Sequence, residues 1–242
     1  MKYKIFCLIL IISCLSQTLA GALDSAVEIT PADILKRVNE NFLKIKDASA
    51  DISLDYNIHL LGCTGLRQVK GQGYYKSPDR IKTTMDKITY FARGNRIRKI
   101  DAEGKKWYVK LIDAIDFNSG FTPNLLAENF VLSIVQENQG MFLLEGIPKP
   151  GRLTNVRKVF FYIDRKDFLL REIDVKLVNE RLKGQIKIDY EKIKDIWVPT
   201  GFQGESAVVF PGNILVGMSI KLRGENMKIN TGLPDKLFDP GF

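Results

Sequence analysis

Between residues 50 and 60 the chain alternates almost without a break. Ala50, Ile52, Leu54, Tyr56, Ile58 and Leu60 share one parity; Asp51, Ser53, Asp55, Asn57 and His59 share the other. A period of two places every second side chain on the same face of a strand, so this stretch predicts a strand with one apolar and one wet face. The pattern recurs over residues 66–76, 80–86, 88–93, 96–101 and 107–110, with turn signals at Ser77-Pro78-Asp79, Arg93-Gly94-Asn95 and Ala102-Glu103-Gly104. It resumes over 156–164, 169–178, 182–190, 196–210 and 214–223. There Ile173, Val175 and Leu177 alternate with Asp174 and Lys176, and Ile186, Ile188 and Tyr190 with Lys187 and Asp189.

An antiparallel sheet with one wet face must cover the other. A sheet of roughly ten twisted strands tends to curl. The expected fold is therefore α+β: a strongly curved, mostly antiparallel half-barrel closed by helices. Its interior is either solid core or a ligand cavity, and alternation alone leaves both open.

Two helices are expected to do the closing. Thr30-Pro31-Ala32-Asp33 is a start signal, with Thr30 as cap, Pro31 at the first helical position and Asp33 favouring the dipole. Ile34, Val38, Phe42 and Ile45 then form one apolar stripe. The second predicted helix, residues 123–137, contains Leu125, Leu126, Phe130, Val131, Leu132, Ile134 and Val135, with Glu128 and Glu137 as its charges. A helix this apolar is buried or caps something apolar.

The first 22 residues read as an export signal: Lys2 and Lys4, an apolar run over 5–15, then small and polar residues with cleavage after Ala20 or Ala22. The run is short for a bilayer span, which takes about 20 apolar residues. Ile11-Ile12-Ser13-Cys14 is a weak lipobox, so lipidation at Cys14 and an outer-membrane tether are the alternative. Residues 23–242 read as one domain, with no repeat and no linker. Loss of Cys7 and Cys14 with the leader leaves Cys63, so no internal disulfide forms. Cys63 is either a small residue in a turn over 61–65 or a free thiol. Loss of Lys2 and Lys4 leaves 34 basic against 28 acidic residues, a net +6. That permits contact with an anionic surface or an acidic partner.

No catalytic constellation stands out. His59 is the single histidine and sits on a polar strand face. No Cys/His cluster suits zinc, no nucleophile elbow is present, and nothing calls for a cofactor. Glu172, Asp174 and Glu205 read as strand-exterior charges rather than acid/base groups. Gly71-Gln72-Gly73 lacks the strand–helix context of a phosphate loop; glycines inside a strand mark a bend or a close approach. Arg93, Arg96, Arg98, Lys99, Lys105, Lys106 and Lys110, near Tyr90, Phe91, Trp107 and Tyr108, read as a solvated hairpin face or as a dock for an acidic partner or anionic headgroups. Nucleic acid is not expected for an exported chain.

Several segments together carry a family resemblance. The order is signal peptide, helix, then Asp47-Ala48-Ser49-Ala50-Asp51 leading into a strand. Gly71-Gln72-Gly73-Tyr74-Tyr75-Lys76-Ser77-Pro78-Asp79-Arg80-Ile81 comes next, then the apolar mid-chain segment, Ile196-Trp197-Val198-Pro199-Thr200, and a terminal stretch from Ile229 to Phe238. In that order they resemble the LolA/LolB-like outer-membrane lipoprotein-sorting superfamily over nearly the whole mature chain. The resemblance implies a half-barrel closed by helices, in the periplasm, that shuttles lipoprotein acyl chains or uses the same fold for other lipids or for stress sensing. Where the family's hairpin carries an arginine before the proline, this chain has Ser77. Where an aromatic follows the proline, it has Ile81, with Arg80 displaced. The likeness thus extends to the cavity and not to the residues implicated in cargo release.

The expectation is a monomeric periplasmic binding or carrier protein, not an enzyme, holding lipid or lipoprotein acyl chains. Ile52, Leu54, Tyr56, Ile58, Ile81, Ile173, Val175, Ile186 and Ile188 would line the cavity, with Leu126, Phe130 and Ile134 as its lid. The alternative is a non-carrier sensor or scaffold binding a membrane-protein partner through the basic stretch from Arg93 to Lys110.

Overall fold

The computed structural model describes residues 29–60, 63–93, 96–100, 104, 106–110, 126, 129–137, 140–151, 153, 156–178, 183–210 and 214–239. The expected signal segment, Cys14 and the loop over 113–122 lie outside these. The chain divides into two units, residues 1–30 and 31–242, and the second contains the helix and every strand of the sheet.

Among the described residues, helix α1 (Pro31–Leu43) precedes thirteen strands. These are β1 (Asp47–Leu60), β2 (Cys63–Lys76), β3 (Arg80–Met85), β4 (Ile88–Arg93), β5 (Arg96–Ile100), β6 (Lys106–Lys110), β7 (Phe130–Glu137), β8 (Met141–Pro148), β9 (Val156–Asp164), β10 (Leu170–Leu177), β11 (Lys183–Ile193), β12 (Ile196–Phe210) and β13 (Ile214–Ile229). A 3-10 turn (Asp235–Phe238) ends the described chain. All thirteen strands form one antiparallel sheet in the order β6-β5-β4-β3-β2-β1-β13-β12-β11-β10-β9-β8-β7. The first and last strands pair along almost their whole length, so the outermost strands are the mid-chain β6 and β7.

Two expectations need correction. The second helix is mostly strand: Phe130–Glu137 is β7, and only Leu126 and Asn129 are helical among the described residues of 123–137. Phe130, Leu132 and Ile134 alternate with Val131, Ser133 and Val135, so the segment also fits a period of two. The adjacent β8, which the alternation did not reveal, supplies its partner ladder. Phe130 and Ile134 therefore belong to the sheet and not to a helical lid. The sheet is also wider than expected, thirteen strands in place of roughly ten. Thr64 and Gly65 lie in β2 rather than in a turn, and Cys63 begins that strand.

The core is concentrated in one half of the sheet. Phe142 and Leu144 of β8, Val159, Phe161 and Ile163 of β9, and Leu170 and Ile173 of β10 are buried, as are Ile34, Leu35 and Val38 of α1. The helix approaches both β12 and β7, five places apart in the sheet, so it lies across this half. Its polar side is fastened to the β9–β10 turn: Asn41 Nδ2 donates to the Asp167 carbonyl at 2.7 Å, and the Arg37 guanidinium stacks over the Phe168 ring at 4.7 Å. This end of the sheet is called the helix end, and the opposite one the far end.

Three segments distant in sequence meet at the helix end. The buried Asp47 carboxylate accepts bonds from the Thr231 backbone N–H (2.8 Å), the Thr231 hydroxyl (3.1 Å) and the Gly232 N–H (3.0 Å). Burial pushes its pKa up, but these donors outweigh that, and the net displacement is downward. Asn230 adds a bond from the Lys46 N–H and one to the Lys44 carbonyl. Lys76 and Arg80 both reach Asp235, at 2.5 and 3.0 Å. The terminal segment is thereby tied to the start of β1 and to the β2–β3 hairpin, and the displaced Arg80 is engaged there.

Candidate functional site

Residues directly opposite one another in a ladder share a face, so the registers show which side chains stand together. Taking the face of Ile52, Leu54, Tyr56 and Ile58 as the inner one, a single row crosses eight strands: Tyr56, Ile220, Gly204, Ile186, Ile173, Phe161, Leu144 and Ile134. The next row toward the far end is Gly65, Ile58, Met218, Ser206, Gly184, Val175, Val159, Gly146 and Leu132. A row on the other side joins Val69, Leu54, Leu222, Phe202 and Ile188. Seven of the nine expected cavity residues, with Ile134 of the expected lid, thus occupy three adjacent rows of one face. Ile52 follows Leu54 along β1. Ile81 shares the face, but its row runs through Tyr75, Ala48 and Ile229 at the helix end, away from the others.

The rows are packed at one side and open at the other. Ile173 and Phe161 are 1% exposed and Leu144 is fully buried. Phe130 packs edge-on against Phe161 at 5.8 Å, and Leu126 is buried. Toward β1 and β13 the same rows surface: Ile58 is 42% exposed, Met218 36% and Ile220 37%. Ile186 and Tyr56 are half-buried between these limits. The inner face is thus solid core over β8–β10 and an uncovered apolar strip over β1 and β13. Sequence reasoning missed Met218, Ile220, Leu222 and Phe202. The alternation of Met218, Ile220 and Leu222 with Ser219, Lys221 and Arg223 would have found three of them.

Glycines shape this face in two ways. A Cβ on Gly71 would stand 1.8 Å from the Thr84 carbonyl oxygen, on the side to which Ile52 points. A Cβ on Gly73 would meet the Ile52 side chain. The sequence therefore uses Gly71-Gln72-Gly73 for a close approach: β3 folds sharply over the inner face there. Gly204 and Gly184 are different. A Cβ at Gly204 would find its nearest neighbours at 3.6 and 4.0 Å, and at Gly184 at 3.6 Å, which is ordinary contact. Crowding does not require glycine at either position: Gly204 leaves a gap in the row between Ile186 and Ile220, and Gly184 leaves another beside Ile186 in the next row.

The polar groups are placed as strand exteriors. Glu172 accepts from Gln185, Asp174 from Lys176, and His59 bonds Thr64 across the β1–β2 ladder on the outer face. Among the described residues no group of three or more His, Cys, Asp and Glu side chains is gathered as a metal site. A shallow pocket of about 420 Å³ at the helix end is lined largely by charged groups, among them Arg37, Lys44, Asp167 and Lys192. It is not the apolar hollow expected. Of the basic stretch, the positions Arg93, Arg96 and Lys110 stand opposite one another across β4–β6 and continue the rung of Lys76 and Arg80 on β2 and β3; Lys99 falls at the other parity, and Lys105 lies outside the described residues.

No family model matches the chain, and no curated protein matches it in sequence. Solved structures do match in fold. A DUF1329 family protein from Desulfovibrio piger superposes with a TM-score of 0.65 at 16% identity, over 86% of this chain and 95% of that one. A LolA superfamily protein from Nitrosomonas europaea gives 0.58 at 12% identity over 87% and 97%. A domain from Vibrio parahaemolyticus named as an outer membrane lipoprotein-sorting protein gives 0.58 at 14% over 85% and 95%. The chain has a LolA-like fold, as its motifs suggested.

Proposed function

We propose that this protein is a non-enzymatic carrier that holds lipid or lipoprotein acyl chains along its inner face, in the envelope of the cell that exports it. The observation that carries the reading is the asymmetry of that face. Apolar side chains continuous with a packed core stay uncovered at Ile58, Met218 and Ile220, beside the gap at Gly204. Apolar groups in that state gain free energy when something apolar covers them, about 25 cal/mol per Å². An alkyl chain is the natural occupant of such a strip, since it gains about 0.8 kcal/mol per methylene buried and asks for no hydrogen bond. Arg67 stands opposite Tyr56 at the strip's edge, where it would face an anionic or polar head. The LolA-like fold supports the same reading. Native mass spectrometry of protein purified from an envelope fraction tests it. Co-purifying lipid or acylated protein is expected. A clean unliganded mass that ignores added palmitate would overturn the proposal.

A further inference from the structure

One charged side chain stands among the apolar rows of the inner face. Arg67 of β2 is directly opposite Tyr56, so it extends the row of Tyr56, Ile220, Gly204, Ile186 and Ile173 by one strand. Its other neighbours on that face are Gly65 and Val69 along β2, and Leu54 and Ile58 diagonally across on β1. None of these carries a charge, and neither does any other member of the three rows. Arg67 is exposed, and its guanidinium makes no ion pair or hydrogen bond among the described residues. Tyr56 is half-buried beside it, and its hydroxyl likewise has no partner there.

Position explains how a free cation persists on an apolar face. β3 pairs with β2 only from Gly71 onward, so over residues 65–69 β2 is the margin of the sheet and water reaches the guanidinium. The face next to it is open: a Cβ at Gly65 would meet nothing within 4 Å. Along the row the surroundings then change in one direction. Arg67 is exposed and Tyr56 half-buried; Ile220 is 37% exposed, Gly204 leaves its gap, Ile186 is half-buried and Ile173 is 1% exposed. From Arg67 to Ile186 the row crosses four strand spacings, about 19 Å. It runs from a wet, positively charged end to an apolar, closed one, which is the polarity of an amphiphile with an anionic head and a long tail.

We infer that Arg67 and Tyr56 form a head-group anchor that selects lipids with an anionic head, a carboxylate or a phosphate. The ligand lies across the strands, its head at β2 and its tail over Ile220 and the Gly204 gap toward Ile186. A guanidinium presents paired N–H donors that match either anion bidentately, and such charge-assisted bonds are roughly twice as strong as neutral ones. The phenol hydroxyl supplies one more donor to the same head. An acyl chain tied through an ester or amide brings no charge to this point. The preferred cargo is therefore a free anionic lipid and not the acyl chain of a lipoprotein. The inference rests on the carrier reading and specifies the ligand of that same face.

The test is calorimetric titration of the purified protein at pH 8 with laurate, dodecyl phosphate and dodecanol, which share one alkyl chain and differ in the head. Circular dichroism of each variant runs beside it. The wild type is expected to bind at least one of the two anions about tenfold or more tighter than dodecanol. A preference for one anion alone supports the inference and identifies the head as carboxylate or phosphate. Arg67→Gln is expected to lower affinity for the preferred anion about tenfold while dodecanol stays within about twofold. Arg67→Lys should restore part of the preference, and Tyr56→Phe should lower anion affinity about threefold. Lys70→Gln, three residues on and at the outer parity of β2, should leave all three ligands within about twofold. Spectra should match the wild type throughout. Equal affinity for dodecanol and both anions would overturn the inference and leave the carrier reading standing. Anion preference that survives Arg67→Gln, or that Lys70→Gln removes instead, would do the same. A protein that takes up none of the three ligands would overturn the carrier reading, and this inference with it.

Discussion

Replacing Gly204 by leucine should separate binding from stability. Gly204 lies on the inner face between Ile186 and Ile220, with room for a Cβ at ordinary contact distance. Removing a strand glycine relieves about 0.5–1 kcal/mol of unfavourable backbone entropy. The fold should hold or gain slightly, a shift of a few degrees in Tm at most. The four carbons of the new side chain would occupy the gap a bound alkyl chain uses. If each displaces one methylene, the loss is about 3 kcal/mol at about 0.8 kcal/mol per methylene. Tenfold in Kd corresponds to about 1.4 kcal/mol, so palmitate affinity should fall by about a hundredfold. Fluorescence titration with a labelled C16 fatty acid measures this, with thermal unfolding run in parallel. Unchanged affinity would refute the reasoning, because the gap would then not be where the chain lies. A loss of several kcal/mol of stability would refute it differently, by showing the gap already packed.

Other substitutions divide along the same boundary. Ile173→Ala, in the packed half, should cost about 2–5 kcal/mol in urea unfolding, whereas Gly65→Ala, with nothing near its Cβ, should stay within about 0.5 kcal/mol. Gly71→Ala meets backbone at 1.8 Å and should destabilise by more than about 2 kcal/mol or abolish soluble expression. Asp47→Asn leaves the donors of Thr231 and Gly232 facing an amide and should cost about 1–3 kcal/mol. Asp47 also sets a pH dependence. Its folded pKa lies below the unfolded value near 4, so its contribution is complete above that value and is lost as pH falls through the folded one. Urea midpoints should therefore drop below about pH 4 in the wild type, and less steeply in Asp47→Asn.

Most of the strands were legible because one face is wet: Asp51 through His59, or Asp174 and Lys176, mark the polar parity that defines a half-buried strand. Where both faces are apolar that signal vanishes. Phe130–Val135 fits a helix stripe and a strand equally, and Met141–Leu144 is an unbroken apolar run, so β7 and β8 escaped. The pairing of β1 with β13 could not be read either, since it joins positions 156 to 181 residues apart through a register no local pattern encodes. That pairing is what makes Tyr56, Ile220, Gly204 and Ile186 neighbours. The sequence therefore indicated which residues face inward, but not that Ile173 sits in solid core while Ile58, its equal in alternation, stands open.

Methyl NMR of selectively labelled Ile and Met residues, titrated with a C16 fatty acid carrying a spin label near its chain end, tests the central claim most directly. Ile58, Met218 and Ile220 should broaden most at stoichiometric ligand, with the effect falling off through Ile186 and Ile173 toward Ile163 in the packed half. Signals that stay sharp throughout, or broadening confined to residues outside the inner face, would contradict the account.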